Sequence, residues 1–180
     1  MKHHRRQQSG YSLPEMLVVI AIIGIISLVT IPQFLAFQRA NQLKTAMRQV
    51  MADLRLARQQ AVALRTQTRV RFRNNTDSYV VERLNTDGSW GPLGRTTTGL
   101  SARALEKGCK FTVPADPPSN LPTATVGGET FSMVVFRPDG TAALTDESGM
   151  GRFIIRSTAS NLARPSYTIQ VQGAGFVKAI

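Results

Sequence analysis

Gly10-Tyr11-Ser12-Leu13-Pro14-Glu15-Met16-Leu17-Val18-Val19-Ile20-Ala21-Ile22-Ile23-Gly24-Ile25-Ile26-Ser27-Leu28-Val29-Thr30-Ile31-Pro32 decides how this chain is built. From Met16 to Ile31 it carries no charge, and Ser27 and Thr30 are its only polar side chains. Counted from Leu13 to Phe37, it is long enough to cross a bilayer, which takes about 20 helical residues. Ahead of it stand Lys2, Arg5 and Arg6 without an acid. That basic cluster predicts a cytoplasmic N-terminus with the rest of the chain translocated. Ser12-Leu13-Pro14-Glu15 has the spacing of a capping box, with Ser12 as N-cap and Glu15 at the third helical position. Pro14 is tolerated there because first-turn N–H groups have no acceptor within the helix. A carboxylate entering an apolar span costs about 2.5–3.5 kcal/mol at the bilayer centre, so Glu15 is also a functional candidate. Capping and function are compatible readings of the same residue.

An ordinary secretory signal would show a small-x-small cleavage site after the apolar run. Thr30-Ile31-Pro32-Gln33-Phe34 offers none. Beyond Pro32, Phe37, Ala40, Leu43, Met47, Val50, Met51, Leu54, Ala57, Ala61 and Leu64 recur at spacings of three and four. That period predicts one continuing amphipathic helix to about residue 66. Its two halves are expected to serve membrane and head, about 53 residues and roughly 80 Å in all. Lys44, Arg48, Arg55, Arg58 and Arg65 fall in an arc roughly 100° wide beside the apolar face. Asp53 is the only acid between residues 16 and 76. Two readings of this basic stripe stay open. Arginine stems can cover the seam between helix and sheet, or the cations can meet nucleic acid or anionic lipid.

From residue 68 the period changes to two. Thr68-Arg-Val-Arg-Phe-Arg73 alternates, Asn74-Asn-Thr-Asp-Ser78 is turn chemistry, and Tyr79–Leu84 returns. Further strands are expected at 109–113, 130–137, 141–145, 152–157, 166–172 and 176–180. Pro138-Asp139-Gly140 predicts a tight hairpin between the 130–137 and 141–145 segments. Segment 114–128, with Pro114, Pro117, Pro118, Pro122, Gly127 and Gly128, reads as a surface loop. Short connections suggest an antiparallel meander. The fold class is therefore α+β, a long N-terminal helix packed on a C-terminal antiparallel sheet.

Composition narrows the chemistry. The chain of 180 residues has 22 Lys+Arg against 11 Asp+Glu, a net charge of +11. Such a surplus attracts nucleic acid, anionic lipid or an acidic partner without selecting among them. His3 and His4 are the only histidines, and both precede the apolar run. Beyond that leader the chain has no Ser-His or Cys-His pair and no His-ligated zinc site. No enzyme, metal or cofactor is expected. Cys109 is the only cysteine, so no intrachain disulfide can form. It is expected as a small buried residue of a strand.

The basic leader, Gly10, Glu15 and the apolar run together resemble the N-terminal signature of type IV pilins and type II secretion pseudopilins. Within that class the head is similar to the GspH/FimT group. That likeness rests on Leu54-Arg-Leu-Ala57-Arg58-Gln-Gln-Ala61, Trp90-Gly91 and Phe136-Arg-Pro-Asp-Gly140. The resemblance implies a leader at 1–10, a transmembrane and amphipathic helix at 11–66, and a periplasmic β-rich head at 67–180. It implies cleavage by a prepilin peptidase between Gly10 and Tyr11, and N-methylation of Tyr11. Tyr11 stands where the family usually has Phe, and Pro14 where an aliphatic residue is commoner. Glu15 would pair with the charged amine of a neighbouring subunit's Tyr11 and set register. The implied function is a minor (pseudo)pilin, assembled with other pilins on an inner-membrane platform into a pseudopilus or pilus. A DNA-binding minor pilin and a major pilin are the alternatives. Some group members bind DNA through a Gly-Arg-x-Arg stretch near the C-terminus; here Gly175-Phe176-Val177-Lys178 keeps one basic residue. The residues that could meet nucleic acid or anionic lipid are Arg48, Arg55, Arg58, Arg65 and Lys178.

Overall fold

A computed structural model describes residues 12–93, 102–114, 119–126, 128–145, 150–159, 162 and 164–180. Among the described residues, one helix, α1 (Leu13–Leu64), is followed by eleven strands. The chain divides into two compact units between Gln38 and Arg39.

In the first unit, the Ser12 carbonyl accepts the opening helical hydrogen bonds, from Glu15 N at 3.1 Å and Met16 N at 3.3 Å. Ser12 thus occupies the N-cap position that its sequence context predicts. Pro32 lies inside the helix without ending it. The large apolar residues from Leu13 to Phe37 are 44–78 % exposed. Ser27 and Thr30 turn their hydroxyls back onto the carbonyls four residues earlier, at 2.7 and 2.9 Å. Their polarity is thereby satisfied within the helix, as a span in hydrocarbon requires.

In the second unit, Leu43, Ala46, Val50, Leu54, Ala57 and Ala61 form the fully buried face of α1. The three alanines leave room for close approach of neighbouring backbone. Leu64, expected on this face, is 46 % exposed because it lies beyond the covered segment; Phe37, also expected there, falls in the first unit. The helix ends in a Schellman motif. Thr66 N bonds Ala61 O at 3.2 Å and Arg65 N bonds Val62 O at 3.3 Å, with Arg65 at φ 50°.

The strands form two antiparallel sheets. The first comprises β1 (Thr68–Phe72), β2 (Ser78–Leu84), β3 (Trp90–Pro92), β4 (Ala102–Ala104), β6 (Thr123–Val126), β7 (Glu129–Phe136) and β8 (Ala142–Ala143). Its main order is β3-β2-β1-β7-β6, with β4 on β2 and β8 on β7. The second comprises β5 (Cys109–Thr112), β9 (Met150–Ser157), β10 (Ser166–Gln172) and β11 (Val177–Ala179), ordered β11-β10-β9-β5.

Two expectations need correction. The fold is not a meander, because β1 pairs with both β2 and β7. The short connection from β4 to β5 carries the chain from one sheet to the other, so closeness in sequence did not imply pairing. Each sheet has one apolar face, and two such faces plus the helix close the core. Segment 114–128 is also not all loop. Thr123–Val126 forms β6, held on β7 by the pairs Thr123↔Ser132 to Val126↔Glu129. β-branched Thr123, Thr125 and Val126 carry the strand propensity that the surrounding prolines and glycines masked.

One core joins these layers. Phe72 from β1 stacks on Phe111 at 4.8 Å and meets Phe153 at 4.7 Å between centroids. Tyr79 meets Phe111 edge-on at 5.6 Å. Cys109 is buried beside them.

Three hairpin turns share one geometry, at Asn85–Ser89, Arg137–Thr141 and Gln172–Phe176. In each, the first residue's carbonyl accepts from a glycine N and its N–H bonds the fifth residue's carbonyl. The glycines, Gly88, Gly140 and Gly175, lie at φ 80°, 80° and 79°. This is a type I turn closed by a bulge whose left-handed position suits glycine. The predicted hairpin around Pro138-Asp139-Gly140 is one of the three.

Candidate functional site

Gly10 and Tyr11 lie outside the described residues. Glu15 sits in the first turn of α1, at the start of the exposed apolar stretch. The first unit therefore presents a carboxylate at one end of a helix whose sides are apolar all round. Such a surface has to be covered by lipid or by other helices.

The basic stripe separates into two kinds of residue. Arg48, Arg55 and Arg65 are exposed and make no ion pair with a described acid. Arg58 is half-buried and fully engaged. Its Nε donates to the Gly140 carbonyl at 2.9 Å and its Nη2 to the Ala174 carbonyl at 3.2 Å. Its guanidinium also lies 5.2 Å from the centroid of the Phe176 ring. Gly140 belongs to the β7–β8 turn and Ala174 to the β10–β11 turn. One arginine therefore ties the helix to both sheets, the seam-covering role that the first reading of the stripe describes. Lys178 lies in β11, opposite Gln170 of β10, in a different sheet from the elements that α1 contacts through Thr68 and Tyr79. Arg58 is thus committed to holding the fold, while Arg48, Arg55 and Arg65 stay exposed.

Asp53, the only acid of α1 besides Glu15, is 5 % exposed. It accepts hydrogen bonds from the Tyr79 hydroxyl and the Arg103 guanidinium. Burial, then the acceptor and charge of Asp53, push the Tyr79 phenol well above its ordinary value. Nearby, Thr68 Oγ1 donates to the Ala57 carbonyl at 2.8 Å. These contacts fix the helix on the first sheet. Burial, then Glu106, pushes the Cys109 thiol up, which makes it a poor nucleophile at neutral pH.

The outer face of the first sheet carries a stacked ladder that sequence reasoning missed. Arg69 donates to Glu82 at 2.6 Å and lies 4.0 Å from the Trp90 ring centroid. Arg71 reaches the same carboxylate at 3.2 Å and lies 4.7 Å from the Phe131 ring. Arg73 pairs with Glu129. The alternation Thr68-Arg-Val-Arg-Phe-Arg73 signalled arginines on one face. Only the register Arg69↔Glu82 shows which acid they meet.

The described turns carry two depressed carboxylates. Asp87 accepts from Ser89 Oγ and N, and Asp139 from Thr141 Oγ1 and N. These bonds hold both carboxyls below the usual range.

Comparison with known proteins accords with this architecture. The family model for type II transport protein GspH matches residues 46–175, more than half of the chain. A prokaryotic N-terminal methylation motif matches residues 5–31. Comparison of the sequence with curated proteins gives no match. Among solved structures, the minor pseudopilin EpsH from the type 2 secretion system of Vibrio cholerae aligns with a TM-score of 0.55 at 12 % identity. The alignment covers 77 % of this chain and 96 % of EpsH. The type IV minor pilin FimU of Pseudomonas aeruginosa aligns with a TM-score of 0.53 at 16 % identity, covering 80 % and 92 %. At these identities the likeness concerns the fold.

Proposed function

Because the chain belongs to the GspH family, whose members are structural pilin and pseudopilin subunits rather than enzymes, we propose that it is a minor (pseudo)pilin with a double-duty helix. That helix anchors the subunit in the inner membrane and then enters the core of a filament. The observation that carries this reading is the exposed apolar surface of α1 from Leu13 to Phe37, joined within one helix to the fully buried face from Leu43 to Ala61. Cleavage between Gly10 and Tyr11 would leave this surface on the mature protein, with a new amine four residues from Glu15. The Glu15 carboxylate then pairs with the Tyr11 amine of a neighbouring subunit. Such a pair in an apolar core adds little net stability and fixes register. Prepilin peptidase, an inner-membrane assembly platform and the other subunits of the filament are the partners. The head lies in the periplasm.

The test is the mass of the N-terminal peptide, with and without a prepilin peptidase. A peptide starting at Tyr11 with one added methyl group is expected. An intact Met1 leader beside an active peptidase would remove the basis for filament entry.

A nucleic-acid role is the second reading. What favours it is the exposure of Arg48, Arg55 and Arg65 without ion pairs to described acids. Duplex binding through three phosphates would weaken as salt rises, with a log–log slope of roughly −3. Replacing the three arginines by Gln should abolish both binding and slope. Salt-insensitive binding, or none, would end this reading.

A further inference from the structure

The two sheets treat their outer cations differently. On the first sheet, Arg69 and Arg71 share the Glu82 carboxylate and Arg73 pairs with Glu129. On the second, the strands read CKFT, MGRFIIRS, SYTIQVQ and VKA, without one acid. Inner positions such as Phe111, Phe153, Ile155 and Ile169 are buried, so alternation places Lys110, Arg152, Arg156 and Lys178 on the outer face. None of the four pairs with a described acid.

Register orders this face into three rows. Lys110, Arg156 and Ser166 align across β5, β9 and β10. Thr112, Ile154 and Thr168 form the middle row. Ile180 extends it, exchanging backbone hydrogen bonds with Thr168 at 2.9 and 3.2 Å. Arg152, Gln170 and Lys178 form the third row. The outer rows are four residues apart along β9, about 13 Å. An apolar and hydroxyl-bearing centre is therefore flanked on both sides by cations.

We propose that this face docks a neighbouring filament subunit that presents carboxylates around a small apolar centre. The inference rests on the filament reading above. An apolar core inside a polar rim is the anatomy of protein–protein contacts, and the unbalanced positive rim selects an acidic counterpart. A phosphate backbone would answer the cations and leave Ile154 and Ile180, the latter 53 % exposed, uncovered. The three rows also carry no aromatic ring on which a base could stack. Four strands wide at about 4.8 Å each, with about 13 Å between its outer rows, the patch falls below the roughly 800 Å² per partner of an independent complex. Subunits already held by their helices need less, because the second contact forms at high effective concentration.

The experiment uses the full chain in cells that build the filament. A photo-crosslinking amino acid replaces Thr168, and a second probe replaces Phe34 in the apolar helix. The Thr168 probe is expected to capture another filament subunit, identified by mass spectrometry, at a peptide rich in Asp or Glu. Lys110→Glu with Arg156→Glu should cut that yield at least tenfold and leave the Trp90 fluorescence unfolding midpoint unchanged. Acid-to-Lys changes in the captured peptide should restore it. A Phe34 probe that captures subunits beside a silent Thr168 probe would overturn the docking face and leave the filament reading intact. Silence of both probes would overturn both. Capture that ignores charge reversal, capture of lipid alone, or duplex DNA binding lost on Arg156→Glu would each refute an acidic protein partner.

Discussion

Replacing Arg58 by Ala should separate the two readings of the basic stripe. The substitution removes a half-buried charged hydrogen bond to Gly140 O, an outer one to Ala174 O, and the contact with the Phe176 ring. Bonds to charged groups contribute about 1.5–3 kcal/mol each, and the exposed bond falls below that range. We take about 1.5 kcal/mol for the first, roughly 0.5–1 for the second, and about 0.5 for the ring. Ala174 is exposed, so its carbonyl turns to water, whereas Gly140 is buried and its unpaired carbonyl makes this sum a lower bound. The head should lose at least about 2.5–3 kcal/mol, or roughly 8–10 °C in Tm. The assay is urea unfolding of the full chain in mild detergent. Trp90, the only tryptophan, reports it from its stack on Arg69. Arg55→Ala, one turn of exposed helix away, should stay within about 0.5 kcal/mol of the parent. An Arg58→Ala variant as stable as Arg55→Ala would refute the riveting role.

Other outcomes follow from the same contacts. Gly175→Ala places a Cβ against Gly140 O and 2.7 Å from Arg58 Nε, at φ 79°. It should cost about 3 kcal/mol or more, against roughly 1 for Gly88→Ala, which has the same φ and open space; equal losses in urea titrations would refute the clash. Arg65→Gly should stabilise the head by up to about 1 kcal/mol, since Arg65 occupies the left-handed cap position at φ 50°; a lower unfolding midpoint would contradict it. Tyr79 keeps its proton in the folded head above the pH where the unfolded phenol loses its own. The folded state therefore holds more protons above about pH 10, and stability falls there by up to about 1.4 kcal/mol per pH unit. Tyr79→Phe should remove that part of the slope, so identical alkaline slopes would refute the assignment. Cys109 should react with iodoacetamide only on unfolding, and rapid labelling of the native chain would show that the core is open.

The helix was legible because its two signals are long and agree. An unbroken apolar run defines the first half, and a three-four period of apolar residues defines the second. The clean alternation of Thr68–Phe72 was equally visible, and the turn residues Asn74–Ser78 marked Tyr79–Leu84 as its returning strand. Partnership was not. Nothing local in Thr68–Phe72 says that it meets Ser132–Phe136 as well as the strand that follows it. β6 hid among prolines, and β3 and β4 have only three residues each, too short for a period to show. The site divides in the same way. Glu15 announced itself as a charge beside an apolar run. Arg58 looked like its neighbours Arg55 and Arg65 until tertiary contacts distinguished it. Cations on the second sheet became a face only once register aligned strands that are distant in sequence.

The shared turn geometry also bears on chemical lifetime. Two of the three bulged turns contain Asp-Gly, at Asp87-Gly88 and Asp139-Gly140. In a loose chain, this dipeptide is the one in which a side-chain carboxyl most readily closes on the next backbone nitrogen and leaves an isoaspartyl linkage. Here each carboxylate is turned forward onto the backbone N–H and hydroxyl of the residue two places on. It is also held in its charged form, the less electrophilic one. The bonds that shape these turns therefore slow their ageing, and loosening a turn should show first as isomerised aspartate.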